Sequence, residues 1–271
     1  MARTNAERVK PEVSELIILH VLRSERISPT FIRITLGGGD IAKFRSLGFD
    51  QWFRFFIPTT DELALTRLPA KLDTFAYARY LTMSKSSRPV LRNYTVSAFR
   101  PEAQELDVDF VLHGSADDGT SGPAATWAQT CATGDAVALL DEGIMFAPAP
   151  GIFAVRLVAD ETGLPAVGGI LASLDERIKG TAIVEVPHPG DVRDLPTRSG
   201  VELVWVVRDD PHAVPGAAAA LRARDLGVGG VRTYGWVVGE SSMAVSLRRH
   251  WVGTGLAKGD VTFCGYWKRA H

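Results

Sequence analysis

Hydrophobic and polar residues alternate in two different rhythms along this chain. In the first half, short runs of β-branched and aromatic residues are separated by glycine, proline and polar residues, which is typical of strands and turns. We predict strands at 16–25, 30–38, 52–58, 91–99, 105–114 and 136–142. Six such strands predict a small antiparallel β-barrel, interrupted by a helix at 73–84 and a second helix that begins at Gly122-Pro123.

The rhythm changes after a Pro- and Gly-rich joint at 145–151. Strands are then predicted at 152–160, 180–187, 201–208, 231–240 and 259–267, and helices at 162–177, 213–226 and 241–252. Alternating strands and helices predict a doubly wound parallel α/β domain. The sequence therefore predicts a two-domain α/β protein, with a six-stranded antiparallel barrel at 1–148 and the parallel domain at 149–271.

Composition narrows the function classes. The chain has 271 residues and a net charge of −1, which argues against a general nucleic-acid binder. No run of about 18 apolar residues exists for a membrane span, and no leader pattern precedes the first strand. We expect a cytoplasmic protein whose two cysteines, Cys131 and Cys264, are free thiols, so we interpret the glycosylation-type triplet at 93–95 as chance.

Three features of the first half suggest ligand binding. In "LRNYTVS" (91–97), Arg92 and Tyr94 share one strand face, which suits a ligand that is both anionic and planar. The helix start at Gly122-Pro123 could hold a phosphate or could simply begin a helix. Asp109 and His113 share a face of another strand, but they lack metal-ligand spacing, and a lone histidine is more often structural.

Two turns of the second half follow strands, where α/β proteins bind ligands. They are Asp160-Glu161-Thr162 and Gly239-Glu240-Ser241, although Asp160 could simply cap the next helix. Dinucleotide-binding G-x-G-x-x-G, Walker A and G-x-S-x-G motifs are absent from the sequence. The last residues, "CGYWKRAH", are either a solvated amphipathic end or an aromatic shield with cationic flanks.

Taken together, "LRNYTVS", "VDFVLHG", "GPAATWA", "ADETGLPA", "GWVVGES" and "GYWKR" resemble the siderophore-interacting protein family of the ferredoxin-reductase-like superfamily. The resemblance implies that the barrel binds FAD non-covalently. Arg92 would pair with the pyrophosphate, Tyr94 would lie against the isoalloxazine, and Thr95 would lie near its polar edge. An arginine suits this task because two parallel N–H bonds match the oxygens of a phosphate.

The resemblance also implies roles for other positions. Further FAD contacts in the barrel would be Val96, Asp109, Val111, His113, Gly122, Pro123, Ala124, Thr126 and Trp127. Around the nicotinamide of NAD(P)H, the residues would be Asp160, Glu161, Thr162, Gly239 and Glu240, and Trp267 would cover part of the flavin. The basic residues expected to attract the ferric siderophore are Arg54, Arg248, Arg249, Lys268 and Arg269.

The implied activity is NAD(P)H-dependent reduction of a ferric siderophore by a monomer, with no protein ligand to iron and no catalytic side chain. If Glu185 points towards the 2′ position, it would disfavour the 2′-phosphate of NADPH, whereas Arg208 or Arg193 would favour it, and the family favours NADPH. The sequence departs from the family pattern at Phe53-Arg54 and in a longer loop at 115–121. Two alternatives stay open: electron transfer to a protein or free flavin, and a non-catalytic module that carries flavin or ferric siderophore.

Overall fold

The computed structural model of the chain contains two compact units. The first unit comprises Lys10–Leu47 and Gln51–Gly143, and the second comprises Gly48–Asp50 and the chain from Ile144 onward, together with the segment that ends at Val9. The residues that the structure describes are 8–12, 14–59, 65, 68, 74–84, 87–113, 119, 121–226 and 232–269. The chain passes between the units at Gly143–Ile144, and the predicted boundary after residue 148 stays a prediction.

The first unit is an antiparallel sheet of seven described strands. They are β1 (Leu16–Arg26), β2 (Phe31–Gly37), β3 (Trp52–Ile57), β4 (Val90–Thr95), β5 (Ala98–Arg100), β6 (Glu105–Val111) and β7 (Ala136–Gly143). Their order in the sheet is β4-β3-β7-β1-β2-β6-β5. Only two residues separate β4 from β5, yet these strands form opposite edges. The sheet must therefore curl until its two edges approach each other, as in the predicted barrel.

The predicted strand at 91–99 is two strands, so the sheet has seven rather than six. At this break, the amide of Val96 donates to the carbonyl of Gln51 (2.9 Å), whereas the amide of Ser97 donates to that of Asp107 (2.9 Å). The backbone leaves β3 and joins β6 within two residues. A hydrophobic pattern shows which residues extend but not which strand they pair with, so this change of partner was not predictable.

Alternation places the core of the first unit on one face of the sheet. Ile34 on β2 and Val108 and Phe110 on β6 are fully buried in it. In the described part of this unit, the helices are α1 (Thr74–Thr82) and α2 (Pro123–Thr130), where the sequence predicts them. Residue 73 of the predicted first helix and residue 114 of the predicted 105–114 strand lie outside the described residues.

The second unit contains a parallel sheet of five described strands, each connected to the next through a helix or turn. The strands are β8 (Ala154–Ala159), β9 (Lys179–Val186), β10 (Gly200–Val207), β11 (Thr233–Glu240) and β12 (Val261–Trp267), and the helices are α3 (Leu164–Ser173), α4 (Ala217–Arg224) and α5 (Ser241–Gly253). Residue 231 of the predicted 231–240 strand is not described.

The strand order of this sheet is β10-β9-β8-β11-β12. The chain first adds strands on one side of β8 and then returns to add β11 on the other side. The carboxyl ends of β8 and β11 therefore form the topological switch point, where open α/β sheets bind ligands. The predicted doubly wound fold is confirmed.

Both cysteines are free thiols, as predicted. Within the described ranges, no helix combines the length and the apolar character that crossing a bilayer requires.

Candidate cofactor-binding sites

Arg92 is an exposed basic side chain on β4 that forms no ion pair with any residue the structure describes. Its Nη1 donates to the carbonyl of Leu91, at 2.8 Å. Three other arginines of the same unit, by contrast, are bound to carboxylates: Arg23 to Glu105, and Arg33 and Arg100 to aspartates of β6. Arg92 is therefore free to bind an anion from outside the protein.

Tyr94 lies two residues further along β4, in a cluster of four aromatic rings. The aromatic cluster consists of Phe55, Tyr94, Phe110 and Trp127. Tyr94 lies 4.3 Å from Phe110 and 5.8 Å from Phe55 between ring centroids, and Trp127 lies 5.6 Å from Phe110. Burial raises the pKa of the Tyr94 phenol, so the hydroxyl stays protonated at physiological pH. Tyr94 and Trp127 remain half-buried and retain some exposed surface.

Thr95 and Val96 are both buried. Their predicted contacts with FAD stay predictions.

Backbone amides at the start of α2 have no acceptor among the residues that the structure describes. Gly122 is the N-cap of this helix and Pro123 its first residue, and no described side chain caps it. The amide of Thr126 closes the first turn onto the carbonyl of Gly122 at 2.8 Å, which leaves the amides of Ala124 and Ala125 without acceptors in the helix. A side chain at Gly122 would meet no atom within 4 Å. Open space and free amides at a helix start suit an oxyanion.

Helix α2 packs against β4 and β6, so these groups belong to one region of the first unit. The Thr126 hydroxyl is hydrogen-bonded to that of Ser121. Trp127 extends the aromatic cluster from α2 towards the strand that carries Arg92 and Tyr94.

The predicted site residues on β6 and just after it have other environments. The carboxylate of Asp109 is buried and forms a bidentate ion pair with Arg33, at 2.7 and 2.9 Å. Val111 is half-buried and His113 is exposed. Asp109 ends a ladder of ion pairs on the face opposite the core, and we refer to this set as the charge ladder: Arg23, Arg33, Arg100, Glu105, Asp107 and Asp109. The contacts of these three positions with FAD stay predictions.

The basic residues proposed to attract substrate also differ from one another. The Nε of Arg54 lies 2.6 Å from the carboxylate of Glu142 on β7. Arg248 stacks over the ring of Phe263 at 4.7 Å. Arg249, Lys268 and Arg269 are exposed. Only the last three are thus cations that lack such an intramolecular partner among the described contacts.

In the second unit, the buried carboxylate of Asp160 connects the carboxyl ends of three strands. One oxygen accepts the amide of Thr162 at 2.9 Å and the hydroxyl of the same residue. The other accepts the amide of Glu240, at the end of β11, at 2.7 Å and the indole Nε1–H of Trp267, at the end of β12, at 3.0 Å. Burial, with a smaller effect of the neighbouring Glu161 charge, raises the pKa of Asp160 to about 6.

Glu161 is part of a buried ion triad with Arg208 and Glu185. The guanidinium donates to both oxygens of Glu161, at 2.7 and 2.9 Å, and to Glu185 at 3.0 Å. Glu185 also accepts the amides of Gly216 and Ala219, each at 2.8 Å, and so caps α4. The triad joins the ends of β8, β9 and β10 to a helix start.

The turn after β11 is equally compact. Gly239 has a φ of +130°, and a Cβ there would lie within 2.7 Å of the Asp160 carboxyl atoms, so only glycine fits. The carboxylate of Glu240 accepts the amides of Ser242 and Met243 at the start of α5. These bonds outweigh burial and lower the pKa of Glu240. The Asp160 bonds and the triad were not predicted as such, because their partners come from distant parts of the sequence.

Two family models together match almost the whole chain. The siderophore-interacting FAD-binding domain matches residues 20–144, and the siderophore-interacting protein domain matches residues 154–270. The chain belongs to the siderophore-interacting protein family. The predicted family and the predicted binding of FAD are confirmed.

Named relatives of this siderophore-interacting protein agree with that assignment. Ferric vibriobactin reductase ViuB of Vibrio cholerae is 28% identical over 268 residues, which cover 97% of this chain and 91% of ViuB. The NADPH-dependent ferric-chelate reductase of Escherichia coli K12 is 27% identical over 254 residues, covering 92% of this chain and 91% of the relative. These relatives support the predicted class, an oxidoreductase.

A solved structure confirms the two-domain architecture. The siderophore utilization protein from T. fusca superposes with a TM-score of 0.75 at 27% identity, and the match covers 99% of this chain and 97% of that one.

Proposed function

We propose that this siderophore-interacting protein is a ferric-siderophore reductase that uses NAD(P)H and non-covalently bound FAD. The observation that carries the proposal is the arrangement of groups on the first unit: the uncommitted guanidinium of Arg92, the uncapped start of α2 and the aromatic cluster. A cation, free amides and two half-buried rings, Tyr94 and Trp127, are the groups that a ligand with a pyrophosphate and a flat ring system requires.

The residues present fit FAD. Arg92 would bind pyrophosphate oxygens with its fork of N–H donors, and the amides of Ala124 and Ala125 would bind further oxygens. Tyr94 would present a neutral phenol, whose pKa burial raises further above physiological pH. When bound, FAD supplies the conversion between two-electron and one-electron transfer, and the protein supplies orientation and electrostatics.

The second unit would bind the pyridine nucleotide at its switch point. Dinucleotide-binding folds often read the ribose 2′ position with an acidic residue near the end of the second strand. Glu185 has that position on β9, but its carboxylate is bound by Arg208 and two backbone amides. The Glu185 carboxylate is therefore not available to accept a hydrogen bond from a ribose 2′-hydroxyl, and Arg208 is shared between two carboxylates. We propose NADPH as the donor.

Ferric siderophore would be the substrate, so the protein need not hold iron itself. Reduction weakens an oxygen-donor chelate because Fe(II) has the lower charge and is softer. The exposed cations Arg249, Lys268 and Arg269 are the candidates for attracting an anionic chelate. Arg54 is a weaker candidate because Glu142 neutralises it.

An anaerobic titration tests the proposal. The purified protein is expected to bind FAD, to lose its flavin absorbance on addition of NADPH, and to regain it on addition of a ferric catecholate or hydroxamate chelate. An Fe(II) indicator is expected to develop colour in step with the recovery. Protein that binds no FAD, or whose bound FAD is not bleached by NADPH or NADH, would refute the proposal.

The neutralised Arg54 and the stacked Arg248 also favour a second candidate, transfer of electrons to an acceptor other than a ferric chelate. The same titration distinguishes the two. Reoxidation by free flavin or ferredoxin at a far higher rate than by any ferric chelate would support this second candidate.

A further inference from the structure

Asp160 is a fully buried carboxylate that forms no ion pair with any residue in the described ranges. It is instead satisfied by N–H and O–H donors of Thr162, Glu240 and Trp267. Burial of a charge without a cation is costly, and neighbouring Glu161 adds a like charge. Departures of this kind from the most stable arrangement are expected at functional sites.

The group that Asp160 holds most specifically is the indole of Trp267. The backbone carbonyl of Trp267 accepts the hydroxyl of Ser241 at 2.7 Å, and the residue pairs with Glu240 after an irregularity in the β11–β12 ladder. These contacts fix the backbone of Trp267. The bond from its Nε1 to Asp160 then fixes the ring, part of which remains exposed at the carboxyl end of the sheet.

Asp160 also fixes the two turns that form the switch point. Thr162 follows β8 and Glu240 ends β11, and each donates an amide to a different oxygen of the carboxylate. Because Gly239 has no side chain, the turn after β11 can lie directly against the Asp160 carboxylate. One side chain thus sets the distance between the two turns and the orientation of the ring beside them.

We propose that Asp160 is a positioning residue for the pyridine nucleotide, holding the Trp267 indole and the two switch-point turns in the arrangement that binds it. The inference rests on the proposed function, because it assigns the nucleotide to this end of the sheet. Asp160 itself acts through Thr162, Glu240 and Trp267.

The test compares Asp160→Asn with a matched control, Asp50→Asn. Asp50 is an equally buried aspartate of the same unit, and it accepts N–H donors from Met145, Phe146 and Trp236. Both substitutions replace one acceptor oxygen of the carboxylate by an NH2 group, which donates and cannot accept from N–H donors. Calorimetric titration of the FAD-loaded proteins with NADP⁺ and NAD⁺ measures affinity without reducing the flavin.

The comparison uses whichever of the two nucleotides wild type binds more tightly. We expect its Kd to rise at least fivefold in Asp160→Asn and to stay within twofold of the wild-type value in Asp50→Asn. FAD occupancy should not change, because the groups proposed to bind the FAD pyrophosphate, on Arg92, Ala124 and Ala125, belong to the other unit. Acrylamide should quench tryptophan emission more strongly in Asp160→Asn than in wild type. In a Trp267→Phe background, Asp160→Asn should not increase the quenching further, and it should raise the Kd by a smaller factor than in wild type, because only the two turns then still depend on Asp160.

Wild type that binds neither nucleotide would overturn the proposed function and this inference with it. Wild type that binds, with an unchanged Kd in Asp160→Asn or an equal rise in both aspartate variants, would overturn the inference alone. If Asp160→Asn does not fold, Trp267→Phe carries the test: a fivefold rise in Kd supports the inference and an unchanged Kd overturns it.

Discussion

The buried triad of Glu161, Arg208 and Glu185 permits a quantitative prediction about the stability of the second unit. Replacement of Arg208 by methionine removes three charge-assisted hydrogen bonds and leaves two carboxylates without a cation. The side chains of the triad are each at most 4% exposed, so water cannot substitute for the guanidinium. Glu185 keeps its two backbone amides, whereas Glu161 loses both donors.

Removal of one partner of a buried ion pair costs about 3–5 kcal/mol. With a urea dependence of about 2 kcal/mol per molar, the midpoint of unfolding should fall by about 1.5–2.5 M. Tryptophan emission is a suitable signal because Trp205, Trp236, Trp251 and Trp267 all belong to this unit.

The matched control is Arg177→Met, which removes an exposed ion pair with Asp175. Exposed pairs contribute little, so its midpoint should not differ measurably from wild type. Addition of Glu161→Gln to Arg208→Met should recover part of the lost stability, since one stranded charge disappears. An Arg208→Met midpoint indistinguishable from that of Arg177→Met would refute the reasoning that the triad is buried and mutually dependent.

Three further predictions concern other groups. Arg92→Ala should weaken FAD binding about 10- to 100-fold, because it removes a charge-assisted hydrogen bond that contributes about 1.5–3 kcal/mol, and it should leave the urea midpoint unchanged. An unaltered Kd for FAD in a titration of the apoprotein would argue against the pyrophosphate role. In the charge ladder, hydrogen bonds from Arg23 and Arg100 lower the pKa of Glu105 to about 2. Ionised Glu105 therefore stabilises the fold above about pH 4.5, and this stabilisation is lost as the pH falls towards 2. Glu105→Gln should flatten the acid dependence of the unfolding free energy, and curves of equal slope for wild type and variant would contradict the prediction. Gly239→Ala should lower the free energy of unfolding of the second unit by roughly 1–3 kcal/mol, because it places a Cβ against Asp160 on a residue whose φ is positive. A thermal midpoint equal to that of wild type would contradict this prediction and show that the turn can relax.

Sequence periodicity predicted where the strands and helices lie but not how the strands pair. The run at 91–99 illustrates the difference, since all of it reads as extended but β4 pairs with β3 and β5 with β6. Asp109 and Arg54 illustrate the same point for charged residues. Each was predicted to face a ligand, and each forms an ion pair with a residue of a neighbouring strand.

The sequence by itself determined the fold class, the family and the residue types that suit FAD. All of these depend on local patterns of residues, such as "LRNYTVS" and "GPAATWA", which can be recognised without knowing the tertiary contacts. Only the tertiary structure decided which polar groups remain available. Asp109 and Arg33 are 76 residues apart, Glu161 and Arg208 are 47 apart, and Asp160 and Trp267 are 107 apart. A charge binds a ligand only if no other group of the protein satisfies it, and partners so distant in sequence are brought together by strand order alone.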